Sequence, residues 1–215
     1  MQTKHDGHAP TGRRRLVILA DGALLAEMNG QMKERDERFV DFLTIPQLVA
    51  DALGGEVRPA KETNYFFQVG ARAAEKFVAS ISSAWTVQSF PMRAFSASCS
   101  CGKSSVRFSS AIGWALGNVS GRGSSDAVVC VSSDPGLVMP IRFARDQGVD
   151  AYMAWMAPIG EEVRYFSARN DVPLLELAAA DGQLQKSPDS FGQTFLKMTS
   201  SSSANEPGRP RSRRS

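Results

Sequence analysis

Short β-branched runs alternate along this chain with longer stretches whose apolar residues recur at helical spacing. That alternation predicts a parallel sheet with helices on both faces. Leu16 to Ala20 is the first apolar run and stops at Asp21-Gly22. A polar segment from Gln31 to Arg38 follows. Ile45 to Leu53 then places Ile45, Leu48, Val49, Ala52 and Leu53 on one helix face, with Pro46 in the first turn and Gly54-Gly55 at the end. Asn64 to Val69 has the composition of a strand, Gly70 to Ile81 that of a helix, and Trp85 to Phe95 that of another strand interrupted by Pro91. Lys103 to Leu116 is expected to be helical and Gly117 to Ser125 a glycine-serine loop. Ala127 to Val131 is a buried strand, Pro135 to Gln147 a helix, and Asp150 to Trp155 and Val172 to Leu177 the last two strands. The expected fold class is therefore α/β, a three-layer α/β/α sandwich with a mainly parallel central sheet.

At 215 residues, one domain with tails is expected: residues 1–14 as a disordered basic N-terminal tail, 15–198 as the folded domain, and 199–215 as a disordered Ser/Arg-rich tail. The composition, 42% hydrophobic and 22% charged, is that of an ordinary globular protein. No stretch of about 18 apolar residues is present to span a bilayer, so no membrane partner is expected. Three cysteines, an odd number, fit a reducing, cytoplasmic setting. Cys99 and Cys101 are one residue too close for the spacing of a redox or zinc pair, and no nearby histidine completes four ligands. The net charge of +3 is concentrated in Arg13 to Arg15 and in Arg209, Arg211, Arg213 and Arg214. Such basic ends either keep a chain soluble or add affinity for phosphate backbones through counterion release.

The candidate chemistry lies where two strands end in aspartate: Asp21 after the first, and Asp134 in Ser132-Ser133-Asp134-Pro135-Gly136 after Ala127 to Val131. In open α/β sheets, ligands and metals bind beyond the carboxyl ends of strands. Each aspartate also has a purely structural use, Asp134 as a cap before Pro135 and Asp21 as a turn former before Gly22. The aromatic residues Tyr65, Phe66, Phe67 and Trp85, together with Trp114 and Trp155, are expected in the core. Gly121 to Ser125 lacks the Gly-Lys-Ser/Thr ending of a phosphate loop and precedes a strand, which makes it a flexible loop. Arg122 within it is a substrate-contact candidate. His5 and His8 fall in the expected tail, so no Ser/His/Asp triad forms.

These two motifs resemble the NYN domains, a branch of the PIN-like nuclease superfamily. The family's first strand ends in Asp-Gly-x-Asn-Leu, where Leu16 to Leu25 here is LVILADGALL. A later strand ends in Ser-Gly-Asp-x-Asp-Phe followed by helix, glycine and strand, where Asp126 to Tyr152 here is DAVVCVSSDPGLVMPIRFARDQGVDAY. The resemblance implies a PIN-like fold over roughly residues 15–178 and RNA as the partner. It also implies metal-dependent ribonuclease chemistry, in which clustered carboxylates hold Mg²⁺ or Mn²⁺ and position water against a phosphodiester. By position, Asp21 and Asp134 are the catalytic and metal-binding aspartates, Ser132 opens the substrate-binding turn, and Lys103 contacts the scissile phosphate. The chain departs from the pattern at Leu24, in place of asparagine, and at Gly136, in place of a second aspartate. It also has no acid between Glu75 and Asp126, where the family places aspartates near Ser105 and Ala111. Asp126 and Glu27 are further candidate acids, with Asp126 expected at the opposite end of its strand. The expectation is thus an RNA-directed protein with a depleted acidic site. Either it is a ribonuclease, or it is a catalytically degenerate domain that binds RNA or a protein partner. A homodimer that pools acids between subunits is compatible with both.

Overall fold

A computed structural model of the protein describes residues 15–34, 39–54, 60–70, 75–90, 96–98, 104–121, 127–156, 158–178 and 184–185. The main sheet has the strands β1 (Leu16–Asp21), β3 (Asn64–Val69), β4 (Thr86–Phe90), β7 (Ala127–Val131), β8 (Ala151–Met156) and β9 (Leu174–Leu177). They lie in the order β4-β3-β1-β7-β8-β9, and every neighbouring pair is parallel. Two short antiparallel pairs accompany it. One joins β2 (Phe39–Val40) to β10 (Leu184–Gln185), the other β5 (Ser96–Ser98) to β6 (Ser104–Val106).

The helices are α1 (Gly22–Glu34), α2 (Ile45–Ala52), α3 (Glu75–Ile81), α4 (Ser109–Gly121), α5 (Val138–Asp146) and α6 (Glu161–Arg169). The chain runs from β1 outward to β3 and β4, returns to β7, then continues outward to β8 and β9. Right-handed crossovers consequently place α1 to α3 on one face and α4 to α6 on the other, giving the expected three-layer sandwich. Strands buried on both faces need continuous apolar sequence, and β1 and β7 are buried at every position. On the α1 face, Phe66 packs with Phe42, Phe77 and Trp85 at ring-centroid distances of 5.5 to 5.7 Å. Each large apolar side chain enclosed this way contributes about 1.5–3 kcal/mol.

Several elements differ from the sequence expectation. The stretch expected as a helix from Lys103 is extended at Ser104–Val106, and α4 begins only at Ser109. It then continues through Gly117, where a loop was expected, to Gly121. Serine and glycine are weak helix formers, but Ile112 and Leu116 are buried beneath α4, and Ser120 Oγ donates to the Leu116 carbonyl at 2.8 Å. Packing and this internal bond outweigh propensity. The helix expected from Pro135 starts as a 3-10 turn over Pro135–Leu137 before α5. Helix α1 extends into the segment that composition marked only as polar, and α6 was not anticipated, because its first turn is Glu161-Glu162 and only Val163 and Ser167 are buried. Trp114, expected in the core, is 76% exposed, whereas Trp85 and Trp155 are buried. Of the helix expected at 70–81, Glu75–Ile81 is helical and Gly70 is not, and of the strand expected at 85–95, Thr86–Phe90 is extended and Trp85 precedes it; residues 71–74 and 91–95 lie outside the described residues. Both expected tails lie outside the described residues.

Candidate functional site

The order of the main sheet reverses between β1 and β7, and the crevice beyond the carboxyl ends of those two strands is the topological switch point of the fold. Asp21 is the last residue of β1, and Ser132 to Asp134 follow directly on β7. Two motifs 113 positions apart in sequence are therefore neighbours at the switch-point crevice.

Asp21 is fully buried. Its Oδ1 accepts from the backbone N–H groups of Ala23 and Leu24, both at 3.1 Å, and so caps α1. Gly22 makes this approach possible: a Cβ there would fall 2.3 Å from the Phe66 ring and 2.6 Å from the Phe67 carbonyl oxygen. The pairing of aspartate with glycine therefore has a steric cause, the close seating of the first turn of α1 on β3. Oδ2 of Asp21 is also buried and has no hydrogen-bond partner. Burial pushes the carboxyl up from its ordinary 3.8 to about 6. The backbone N–H groups of Leu24, Phe108 and Ala23 pull the other way, and the Asp134 carboxylate adds a further upward push.

Ser132 is fully buried and holds the second motif in shape. Its N–H donates to the Ala154 carbonyl at 3.0 Å, and its Oγ accepts from the Asp134 N–H at 3.1 Å. Asp134 in turn accepts from the Gly136 N–H at 2.9 Å through Oδ1, capping the Pro135–Leu137 turn. The structural use anticipated for each aspartate is therefore real, and it occupies one oxygen of each carboxylate. No hydrogen bond of normal geometry reaches Oδ2 of Asp21, although the Phe108 N–H also acts on this carboxylate.

The family places acids near the positions of Ser105 and Ala111, whereas here Phe108 acts on Asp21 and Ser109, where α4 begins, abuts the Asp134 turn. Ser109 Cβ lies 3.6 Å from the point a Gly136 Cβ would occupy, so the start of α4 abuts the Asp134 turn. The Ser109-Ser110 pair ahead of an apolar stretch marks this helix start in the sequence. Lys103 and Arg122 lie outside the described residues, as do Cys99, Cys101, His5, His8 and Asp126. Leu24, in place of the family asparagine, is buried and contributes only its N–H. Glu27 is exposed on α1. Burial pushes the Cys130 thiol up to about 12, which removes it as a nucleophile.

Among the described residues no group of three or more His, Cys, Asp or Glu side chains could hold a metal ion. A closed, all-protein metal cage does not fit these residues. A hydrated Mg²⁺ or Mn²⁺ fits better, because such ions keep several waters and take only one or two carboxylates. The Oδ2 of Asp21, buried and in a carboxyl that feels the charge of Asp134, is the feature that calls for a cation or a proton.

No protein-family model and no curated protein matches the chain. A crystal structure of a protein of unknown function from Vibrio parahaemolyticus is similar, with a TM-score of 0.58 and 12% sequence identity over 86% of this chain and 100% of that one. The likeness is one of fold. No helix among the described residues is long and apolar enough to cross a membrane.

Proposed function

We propose that this chain is an NYN-like, PIN-type domain that acts on RNA, with Asp21 and Asp134 as its acidic pair. The observation that carries the reading is the buried Oδ2 of Asp21 at the switch point, in a carboxyl whose pKa is raised in part by the Asp134 charge. Asp21 and Asp134 would hold one divalent ion. When bound, Mg²⁺ or Mn²⁺ supplies Lewis acidity and offsets phosphate charge. The remaining work falls to the chain itself. Ser132 fixes the backbone of Asp134, the Asp21 cap fixes its own carboxylate, and the positive end of α4 beside Ser109 favours the approach of an anionic phosphate. A free, buried Cys130 suits a reducing compartment such as the cytoplasm.

A second reading has its own support. No third acid joins the pair among the described residues, and each aspartate already uses Oδ1 as a cap. A domain that binds RNA, or a protein, without cutting would need nothing more. Calorimetric titration with Mn²⁺, run on wild type and Asp21→Asn beside a cleavage assay on labelled single-stranded RNA, separates the readings. A ribonuclease binds Mn²⁺ and cleaves, and loses both in the variant. RNA binding in EDTA with no cleavage at millimolar Mn²⁺ identifies the binding module. Absence of both RNA binding and cleavage overturns an RNA-directed role.

A further inference from the structure

On the α4 face of the sheet, a cavity of about 510 Å³ lies between α4 and the half of the sheet formed by β3 and β4. Its floor includes Phe67 and Phe90, whose rings stack with centroids 6.0 Å apart and planes 7° from parallel. Tyr65 extends the floor, and Trp114 stands on α4 at the rim with its indole 76% exposed. Polar groups interrupt this aromatic lining, among them those of Gln88, Tyr65 and Asn118. The Gln88 amide and the Tyr65 hydroxyl make no hydrogen bond with a described residue. Asn118 donates from Nδ2 to the Trp114 carbonyl at 3.0 Å, which leaves its Oδ1 as an acceptor. The cavity adjoins the acidic crevice: Phe67 is the register partner of Asp21, and Ser110 on its wall follows Ser109 at the Asp134 turn.

We propose that this cavity binds a nucleobase. A planar heteroaromatic ring matches both halves of the lining, because its faces stack on indole and phenyl rings while its edge hydrogen-bonds to amide and hydroxyl groups. A wholly apolar ligand would leave Gln88 and Tyr65 desolvated and unpaired, which is costly. Among the described residues of the lining there is no carboxylate to repel an attached phosphate. The volume lies within the usual range of small-ligand pockets, roughly 300–1,000 Å³. That the base belongs to an RNA strand rests on the reading of the acidic pair given above; the pocket itself does not.

Calorimetry in EDTA with AMP, CMP, GMP and UMP, followed by displacement with a single-stranded RNA oligonucleotide, tests both statements. At least one mononucleotide is expected to bind saturably. Loss of one stacking face in Trp114→Ala should weaken that binding about tenfold or more, and Trp114→Phe, which restores a face, should recover most of it. Gln88→Leu should weaken binding and change which base is preferred. Absence of binding by all four nucleotides, or wild-type affinity in both Trp114→Ala and Gln88→Leu, overturns the pocket. Displacement of the mononucleotide by the oligonucleotide assigns the base to RNA. Binding without displacement keeps the pocket, assigns it to a free nucleotide, and counts against the RNA reading alone.

Discussion

Asp21 combines two demands that oppose each other. As a cap it is held by two N–H groups, yet its second oxygen is enclosed without a partner, and enclosure raises its pKa to about 6. The folded state therefore binds the Asp21 proton more tightly than the unfolded state does. It follows that stability from this group is greatest below about pH 4 and is lost as pH rises toward 6. At about 1.4 kcal/mol per pKa unit the loss is on the order of 3 kcal/mol. Asp21→Asn keeps an oxygen for the cap and removes the titration. In urea unfolding with EDTA, the variant should gain on wild type by that order between pH 4 and pH 7, and a difference that does not change with pH would refute this role of burial. Aspartate followed by glycine at a strand end was visible in the sequence. The unpartnered oxygen was not, because it depends on Phe108 and the start of α4, which are distant in the chain.

At the scale of elements, α4 shows where periodicity runs out. At 100° per residue, Ala111, Ala115, Val119, Ile112 and Leu116 fall within an arc of about 140°, so Ile112 and Leu116 are legible in the sequence as inward residues, and both are buried. Trp114 lies outside that arc, and only the sheet decides that it is left exposed. Trp85 is the contrast. Its Nε1 donates to the Phe42 carbonyl at 2.8 Å, and its ring packs edge-on against Phe66 at 5.5 Å. Trp85→Ala should cost about 3–5 kcal/mol of unfolding free energy. Trp114→Ala should stay within about 0.5 kcal/mol of wild type. Similar costs for the two in denaturant unfolding would contradict the packing described for α4. Helix α6 escaped sequence reasoning for a related reason, since a helix that buries so little leaves almost no apolar signature.

For the whole molecule, charge and topology act separately. The +3 net charge comes largely from the two ends of the chain, while the acidic pair sits at the switch point of the sheet. Deletion of residues 199–215 removes four arginines and one glutamate. If that end binds RNA, the slope of log affinity against log salt should become shallower by about 0.7 for each phosphate that the deletion leaves unneutralised. An unchanged slope would show that the basic end does not touch the RNA. The sequence by itself determined the α/β class, the positions of the buried strands and the two aspartate turns, because strand burial on both faces and turn chemistry are local properties of residue order. Only the tertiary structure decided that β1 and β7 are neighbours, that Ser109 rather than Ser105 or Ala111 reaches the Asp134 turn, and that Trp114 overhangs a cavity instead of filling the core. Those outcomes depend on which strands pair and on which side each crossover passes, and no local pattern encodes either.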